Sequence, residues 1–208
     1  MKLKSLIIGA SIISLVAIGG VFAVNANKPI VEEKYYGNGK REIIENLETM
    51  ENKATLIVIG EKLPNEEPKI LTDGVEGEDG YEGVIGGFTI SDFQVKKVLK
   101  NTTGDDISKA SIIPILENSA TDTIGDGKKR IIYSNDGYEL MKNGKHYILF
   151  MDESSSDPGT YIPLSGIYGK APLEGQNEEL EFKGDDKFVK KLTKDAIKKY
   201  KQEMKAIK

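Results

Sequence analysis

The sequence predicts a mainly β fold with flanking helices: a small closed or partly closed β-barrel, one helix before it and an amphipathic helix at the C-terminal end. Three observations carry this. Roughly seven to eight short apolar, β-branched runs recur at regular intervals, divided by Gly-containing turn signals. Ile43, Ile44, Leu47 and Met50 fall at helical spacing just before the first run. Phe188, Leu192, Ala196, Tyr200 and Met204 recur every four residues after the last.

At the N-terminus, Lys2 and Lys4 precede an uncharged apolar run of 19 residues, Leu6 to Val24, that ends in Val24-Asn25-Ala26. This is the layout of a secretory signal peptide over residues 1–26. Left uncleaved, the run is just long enough to anchor the chain through residues 6–24, and its positive flank still places the body outside. The expected location is extracytoplasmic, secreted or envelope-associated, by the general secretory route. The chain has no Cys, which rules out lipid attachment at a lipobox cysteine, thiol catalysis and thiolate metal sites. In an exported chain it predicts a bacterial protein whose core suffices without disulfides. Acidic residues (33) outnumber basic ones (29), against nucleic-acid binding, which needs a basic footprint.

Residues 27–39 read as a polar linker or arm, and 40–184 as the barrel domain. Its helix is expected over Lys40 to Asn52. Ala54 to Gly60 is compact, apolar and β-branched, hence a buried strand. Residues 64–87 hold two Pro, six Gly and seven carboxylates against Lys69 alone, and read as a long acidic loop, functional or unstructured. From Phe88 to Lys100 a strand is expected, with a phase slip and β-bulge at Ser91-Asp92. Ser111 to Glu117 is a strand that Pro114 marks as an edge or bulged one. Arg130 to Tyr133, Tyr138 to Met141 and His146 to Met151 follow, with Asn135-Asp136-Gly137 and Asn143-Gly144 as hairpin-turn signals. Tyr161 to Tyr168 and Leu180 to Phe182 complete the set. Residues 185–208 read as one helix, with Asp185-Asp186 at the end where carboxylates suit the helix dipole.

Three stretches carry a resemblance: Ala54-Thr55-Leu56-Ile57-Val58-Ile59-Gly60, Phe93-Gln94-Val95-Lys96-Lys97-Val98-Leu99-Lys100, and Gly144-Lys145-His146-Tyr147-Ile148-Leu149-Phe150. In this order they resemble small exported proteins of unknown function from Gram-positive bacteria. More distantly they are similar to the netrin-like domains, which include the tissue inhibitors of metalloproteinases. The resemblance implies an OB-like (netrin-like) five-stranded barrel with flanking helices. It implies no inhibitory residue, because those inhibitors act through a cysteine-tethered N-terminus and this chain has no Cys.

His146 is the sole histidine. No nucleophile-elbow serine, metalloprotease helix pair or phosphate-binding Gly loop accompanies it. The expectation is a non-enzymatic module. Two surfaces are candidates for its contacts. Asp73, Glu76, Glu78, Asp79 and Glu82, interleaved with Gly, offer the oxygen ligands that weak calcium sites use, without the spacing of an EF-hand. Lys190, Lys191, Lys194, Lys198 and Lys201 form the polar face of the last helix and suit an anionic surface. The expected partner is an envelope polyanion or an exported protein. The alternatives are an inhibitor or immunity-type module against an exported hydrolase, and a weak calcium-binding module.

Overall fold

The computed structural model describes residues 30–35, 42–76, 82–124, 129–173 and 186–207. The segment expected to direct export (1–26), residues 77–81 and the strand expected at 180–182 lie outside them. Within the described residues the order is β1 Ile30–Tyr35, α1 Leu47–Lys53, β2 Leu56–Glu76, β3 Glu82–Asn101, β4 Ile112–Glu117, β5 Ser119–Ile124, β6 Lys129–Ser134, β7 His146–Glu153, β8 Tyr161–Pro163, β9 Lys170–Pro172, α2 Lys187–Lys199 and α3 Lys201–Lys205. The protein is mainly β, with a short helix before its large sheet and helices at its C-terminal end.

The chain divides into a smaller unit, residues 1–32 with 123–131, and a larger one, residues 33–122 with 132–208. A three-stranded sheet has the order β1-β6-β5. The region expected to be a linker (27–39) therefore contains a strand.

In the larger unit a six-stranded sheet has the order β2-β3-β4-β8-β7-β9, and β2 pairs additionally with β7. β2 runs antiparallel to β3 along nearly its whole length and to β7 from Leu56↔Met151 to Glu61↔His146. β4 is antiparallel to β3 over six residues, and meets β8 in parallel at Ile115↔Tyr161 alone. The far edge of β7 is shared, Tyr147 to Leu149 with β9 and Met151 to Glu153 with β8.

The start of β2 (Leu56 to Gly60) and β7 from Tyr147 to Met151 read as unbroken apolar runs because both of their faces are buried there. Leu56, Val58, Tyr147, Leu149 and Met151 point into one core with Phe93, Val95, Ile113, Ile115 and Tyr161. Ile57, Ile59, Ile148 and Phe150 point into a second, with Met50 of α1 and Val189, Leu192 and Ala196 of α2. Each such side chain contributes about 1.5–3 kcal/mol on burial.

Several expected elements differ. The first helix starts at Leu47 rather than Lys40, because the Asn46 side chain accepts from the Thr49 amide at 2.9 Å and caps it there. Ile44 is buried ahead of the cap while Ile43 is exposed. The acidic loop 64–87 is mostly a two-stranded ribbon, the far halves of β2 and β3 paired from Glu66↔Ser91 to Glu76↔Glu82. It carries the exposed apolar side chains Leu71, Val75 and Ile85.

The phase slip expected at Ser91-Asp92 is absent from β3. Thr89, Ser91, Phe93 and Val95 are buried in one continuous phase. The irregularity lies on the partner strand, where Leu63–Asn65 bulge opposite Asp92, and β3 itself bulges further on, at Lys96 and at Leu99. Tyr138 to Met141 contains a single bridge residue and no strand, and the strand expected at Tyr161 to Tyr168 stops at Pro163. Both Gly signals form turns, but neither joins two paired strands. Asp136 and Gly137 have positive φ (54° and 75°), with the Tyr138 amide donating to Asn135 O at 3.0 Å, the pattern of a type I′ turn. The Lys145 amide donates to Lys142 O at 3.1 Å around Asn143-Gly144.

The C-terminal helix is interrupted at Tyr200. It begins as the carboxylates predict: Asp186 Oδ1 accepts from the Phe188 and Val189 amides at 2.8 and 3.4 Å, and its other oxygen accepts from the Tyr168 hydroxyl at 2.6 Å. At the far end Glu51 of α1 accepts from the Tyr200 hydroxyl at 2.6 Å and pairs with Lys199 at 2.5 Å. Both ends of α2 are thus fixed.

Candidate functional site

α2 buries Val189, Leu192, Thr193 and Ala196. The positions between them are Lys190, Lys191, Lys194 and Asp195. Lys190, Lys191, Lys194 and Lys198 of α2 and Lys201 of α3 are all exposed. Their spacing of three and four residues keeps them on the outward side of the helix, away from the core. Lys191 pairs with Asp195 at 3.1 Å and reaches Glu45 O at 3.4 Å. Such an exposed i,i+4 pair is worth only about 0.3–0.5 kcal/mol, so it leaves the Lys191 ammonium easily exchanged to another anion. Four of the five lysines named from the sequence therefore stand on the solvent side of α2, whose other face is locked down, and the fifth, Lys201, is exposed at the start of α3.

The acidic candidates are less assembled. Asp73 Oδ1 accepts from the backbone amides of Val75 at 3.0 Å and Gly83 at 3.1 Å, closing the ribbon near its end. Glu76 and Glu82 are register partners. Glu78 and Asp79, and the side chains of Glu76 and Glu82, lie outside the described residues. Among the described residues no group of three or more His, Asp or Glu is placed to hold a metal ion.

His146 lies opposite Glu61 in the β2–β7 ladder, its Nε2 3.9 Å from Glu61 Oε2. Lys96 Nζ, across the next ladder, is 3.0 Å from the same oxygen. This is a partly exposed polar row across three strands. Among the described residues no helix is long and apolar enough to cross a membrane.

Three polar sites were not singled out from the sequence. Glu117 is fully buried; it accepts from Ser91 Oγ at 2.5 Å, from the Tyr138 hydroxyl at 3.0 Å and from the Met141 amide at 2.7 Å. The Lys170 ammonium sits 4.1 Å from the centre of the Tyr138 ring and donates to Glu139 O. Lys62 is fully buried at the β2 bulge, with its ammonium on Leu63 O, Glu66 and Asn143. The available signal was phase: Glu117 follows Ile113 and Ile115 at strand period, so it points where they point.

Tyr161 adds a fourth. Its hydroxyl donates to Asp105, and burial, then that hydrogen bond, pushes the phenol from 10.0 up to about 12. It stays protonated in the folded chain and offers no nucleophile. The unfolded chain releases this proton near pH 10 and the folded chain holds it to about pH 12, so folding stability is expected to fall as pH rises through that interval. Tyr200, raised by burial and then by its bond to Glu51, adds to the fall. Urea unfolding across this range checks it: Tyr161→Phe should flatten part of the decline, and a wild-type stability that stays level would refute it.

No protein-family model matches this sequence, and neither the curated proteins nor the solved structures include a significant match.

Proposed function

We propose that this chain is an exported, non-enzymatic interaction module of the bacterial cell envelope, a closed OB-like (netrin-like) barrel that carries a cationic helix toward an envelope polyanion. Two features support the barrel. The pairings run from β2 through β3, β4, β8 and β7 back to β2, and the β4–β8 step is the parallel one. Closure of a five-stranded sheet in this way is how OB-type barrels remove their edges.

One observation carries the functional reading: the exposed lysines Lys190, Lys191, Lys194 and Lys198 on α2, whose opposite face is buried, continued by exposed Lys201 at the start of α3. These lysines need no folding step to meet an anionic surface. Each lysine near such a surface contributes about 1 kcal/mol, and the attraction decays within a Debye length of about 8–10 Å.

The test is co-sedimentation of the purified protein with phosphatidylglycerol vesicles and, separately, with a teichoic-type polymer, across a salt series. Binding should fall steeply with salt. Replacing Lys190, Lys194, Lys198 and Lys201 by Glu should weaken it by roughly 100-fold or more while leaving the melting temperature nearly unchanged, because all four are exposed. Binding that ignores both salt and the substitutions would end this reading and leave an exported protein as the partner to seek.

A further inference from the structure

The Lys62 side chain is fully buried (0% exposed) and ends among four acceptors: Leu63 O at 2.7 Å, Asn65 O at 3.5 Å, Glu66 Oε2 at 3.1 Å and Asn143 Oδ1 at 3.1 Å. Two of these are chemically distinct from ordinary capping carbonyls. Asn143 is a primary carboxamide, an electrophile with a leaving group. Glu66 is a carboxylate within proton-transfer reach of the same nitrogen.

The backbone holds the amine and the carboxamide in register. The Gly144 amide donates to Lys62 O at 2.8 Å, and the Lys62 amide donates to Lys145 O at 3.0 Å. Asn143 itself sits in a turn closed by the Lys145 amide on Lys142 O at 3.1 Å, with Gly144 at φ 74°. The two side chains thus meet from backbone that is already fixed, which is the condition under which slow bimolecular chemistry becomes fast unimolecular chemistry. The same bonds oppose a competing reaction. An Asn-Gly carboxamide ordinarily closes onto the following backbone nitrogen, and here the Gly144 N–H is held by Lys62 O.

We propose that Lys62 Nζ and Asn143 Cγ condense into an intramolecular amide bond, with Glu66 as the proton shuttle. The ammonium passes a proton to Glu66. The freed amine attacks Cγ, one bond beyond the Oδ1 it contacts, and forms the Nζ–Cγ bond. Glu66 returns this proton to Nδ2 and takes up the second Nζ proton, so that the Cγ–Nδ2 bond breaks, ammonia leaves, and the Glu66 proton goes with it. No oxidant or cofactor enters, and the net change is one amine and one primary amide giving one secondary amide and ammonia. The product ties β2 to the turn before β7 across a separation of 81 residues, in a chain with no cysteine from which to make a disulfide.

Mass spectrometry of the purified full-length chain tests this. A tryptic digest should contain a branched species joining the peptides that carry Lys62 and Asn143, lighter than their sum by one ammonia, with no cleavage after Lys62. Intact mass should show the same deficit, absent from Asn143→Ala and from Glu66→Gln. Asn143 is exposed, so Asn143→Ala should fold, and its melting temperature should drop by about 10 °C, as loss of a cross-link over a long loop requires. Separate peptides with cleavage after Lys62, no ammonia deficit in the wild-type mass, or an Asn143 converted to Asp would each overturn the proposal.

Discussion

Gly169→Ala is expected to destabilise the fold by roughly 4 kcal/mol, a large share of the 5–15 kcal/mol that a domain has in total. A Cβ at this position would lie 2.3 Å from Leu164 N, 2.3 Å from Phe150 O and 2.9 Å from Pro163 C. All three are backbone atoms, so no rotamer change relieves the clash. They are also joined to one another: Leu164 N donates to Phe150 O at 2.9 Å, Phe150 N donates to Gly169 O at 2.8 Å, and Gly169 N donates to Leu164 O at 3.0 Å. Making room means separating the turn after β8 from β7, at a residue whose ring lies in the second core. Overpacking alone costs about 1–3 kcal/mol, and the lost backbone bonds add about 0.5–1.5 kcal/mol each. Gly159→Ala is the control. It has positive φ (79°) but nothing within 4 Å of a built Cβ, so only backbone strain of about 1–2 kcal/mol applies. Urea midpoints of the two variants should therefore differ clearly; equal midpoints would show that the turn at Gly169 yields freely.

What the sequence made legible was whatever one face or one period could encode. The runs at Leu56–Gly60 and Tyr147–Met151 are apolar on both faces, and the structure buries both. The stripe Leu192, Ala196, Tyr200 with lysine between announces a docked amphipathic helix, and its charged row is where spacing puts it. The ribbon beyond Lys62 was not legible. Its residues from Pro64 to Lys69 and Leu71 to Val75 are exposed, so neither face imposes an alternation, and Pro and Gly outweigh the pairing that β3 supplies. β1 was missed as well: its six-residue sequence IVEEKY is too short and too charged to show a sustained alternation.

The error at Ser91-Asp92 has a different cause. Phe88 and Ile90 look like the inward residues of β3, and reading them so forces a slip before Phe93. The inward residues are Thr89 and Ser91, whose hydroxyls donate to Ser119 O at 2.7 Å and to Glu117 at 2.5 Å. A polar side chain is tolerated in a core when its partner is there too, and the partner comes from β4 and β5, far away in sequence. Composition along one strand cannot reveal that. The Lys62 cluster was hidden likewise, because Glu66 lies across a bulge and Asn143 in a distant turn.

Glu117→Ala is the substitution that tests how much the buried partner matters, and it is expected to cost about 4 kcal/mol. The carboxylate serves three donors from two segments: the Ser91 hydroxyl on β3, and the Tyr138 hydroxyl and Met141 amide in the stretch after β6. Leaving a buried donor unmade costs about 1–3 kcal/mol, more than its hydrogen bond contributes when made. Ser91 Oγ can rotate toward another acceptor; the Met141 amide, fixed in the backbone, cannot. Glu117→Gln should fall between wild type and Ala, since one oxygen still accepts while the new NH2 faces a donor. The effect should be coupled: once Glu117 is Ala, Ser91→Ala should cost less than it does in wild type, by about 1 kcal/mol. It should also reach β9, because the Tyr138 ring that carries one of the two hydroxyls lies beneath the Lys170 ammonium. Urea denaturation of the two single variants and the double variant measures all of this. A loss below about 1 kcal/mol for Glu117→Ala would mean that water or repacking replaces the carboxylate at no great cost, and that the strands meeting at Glu117 are held by their apolar neighbours instead.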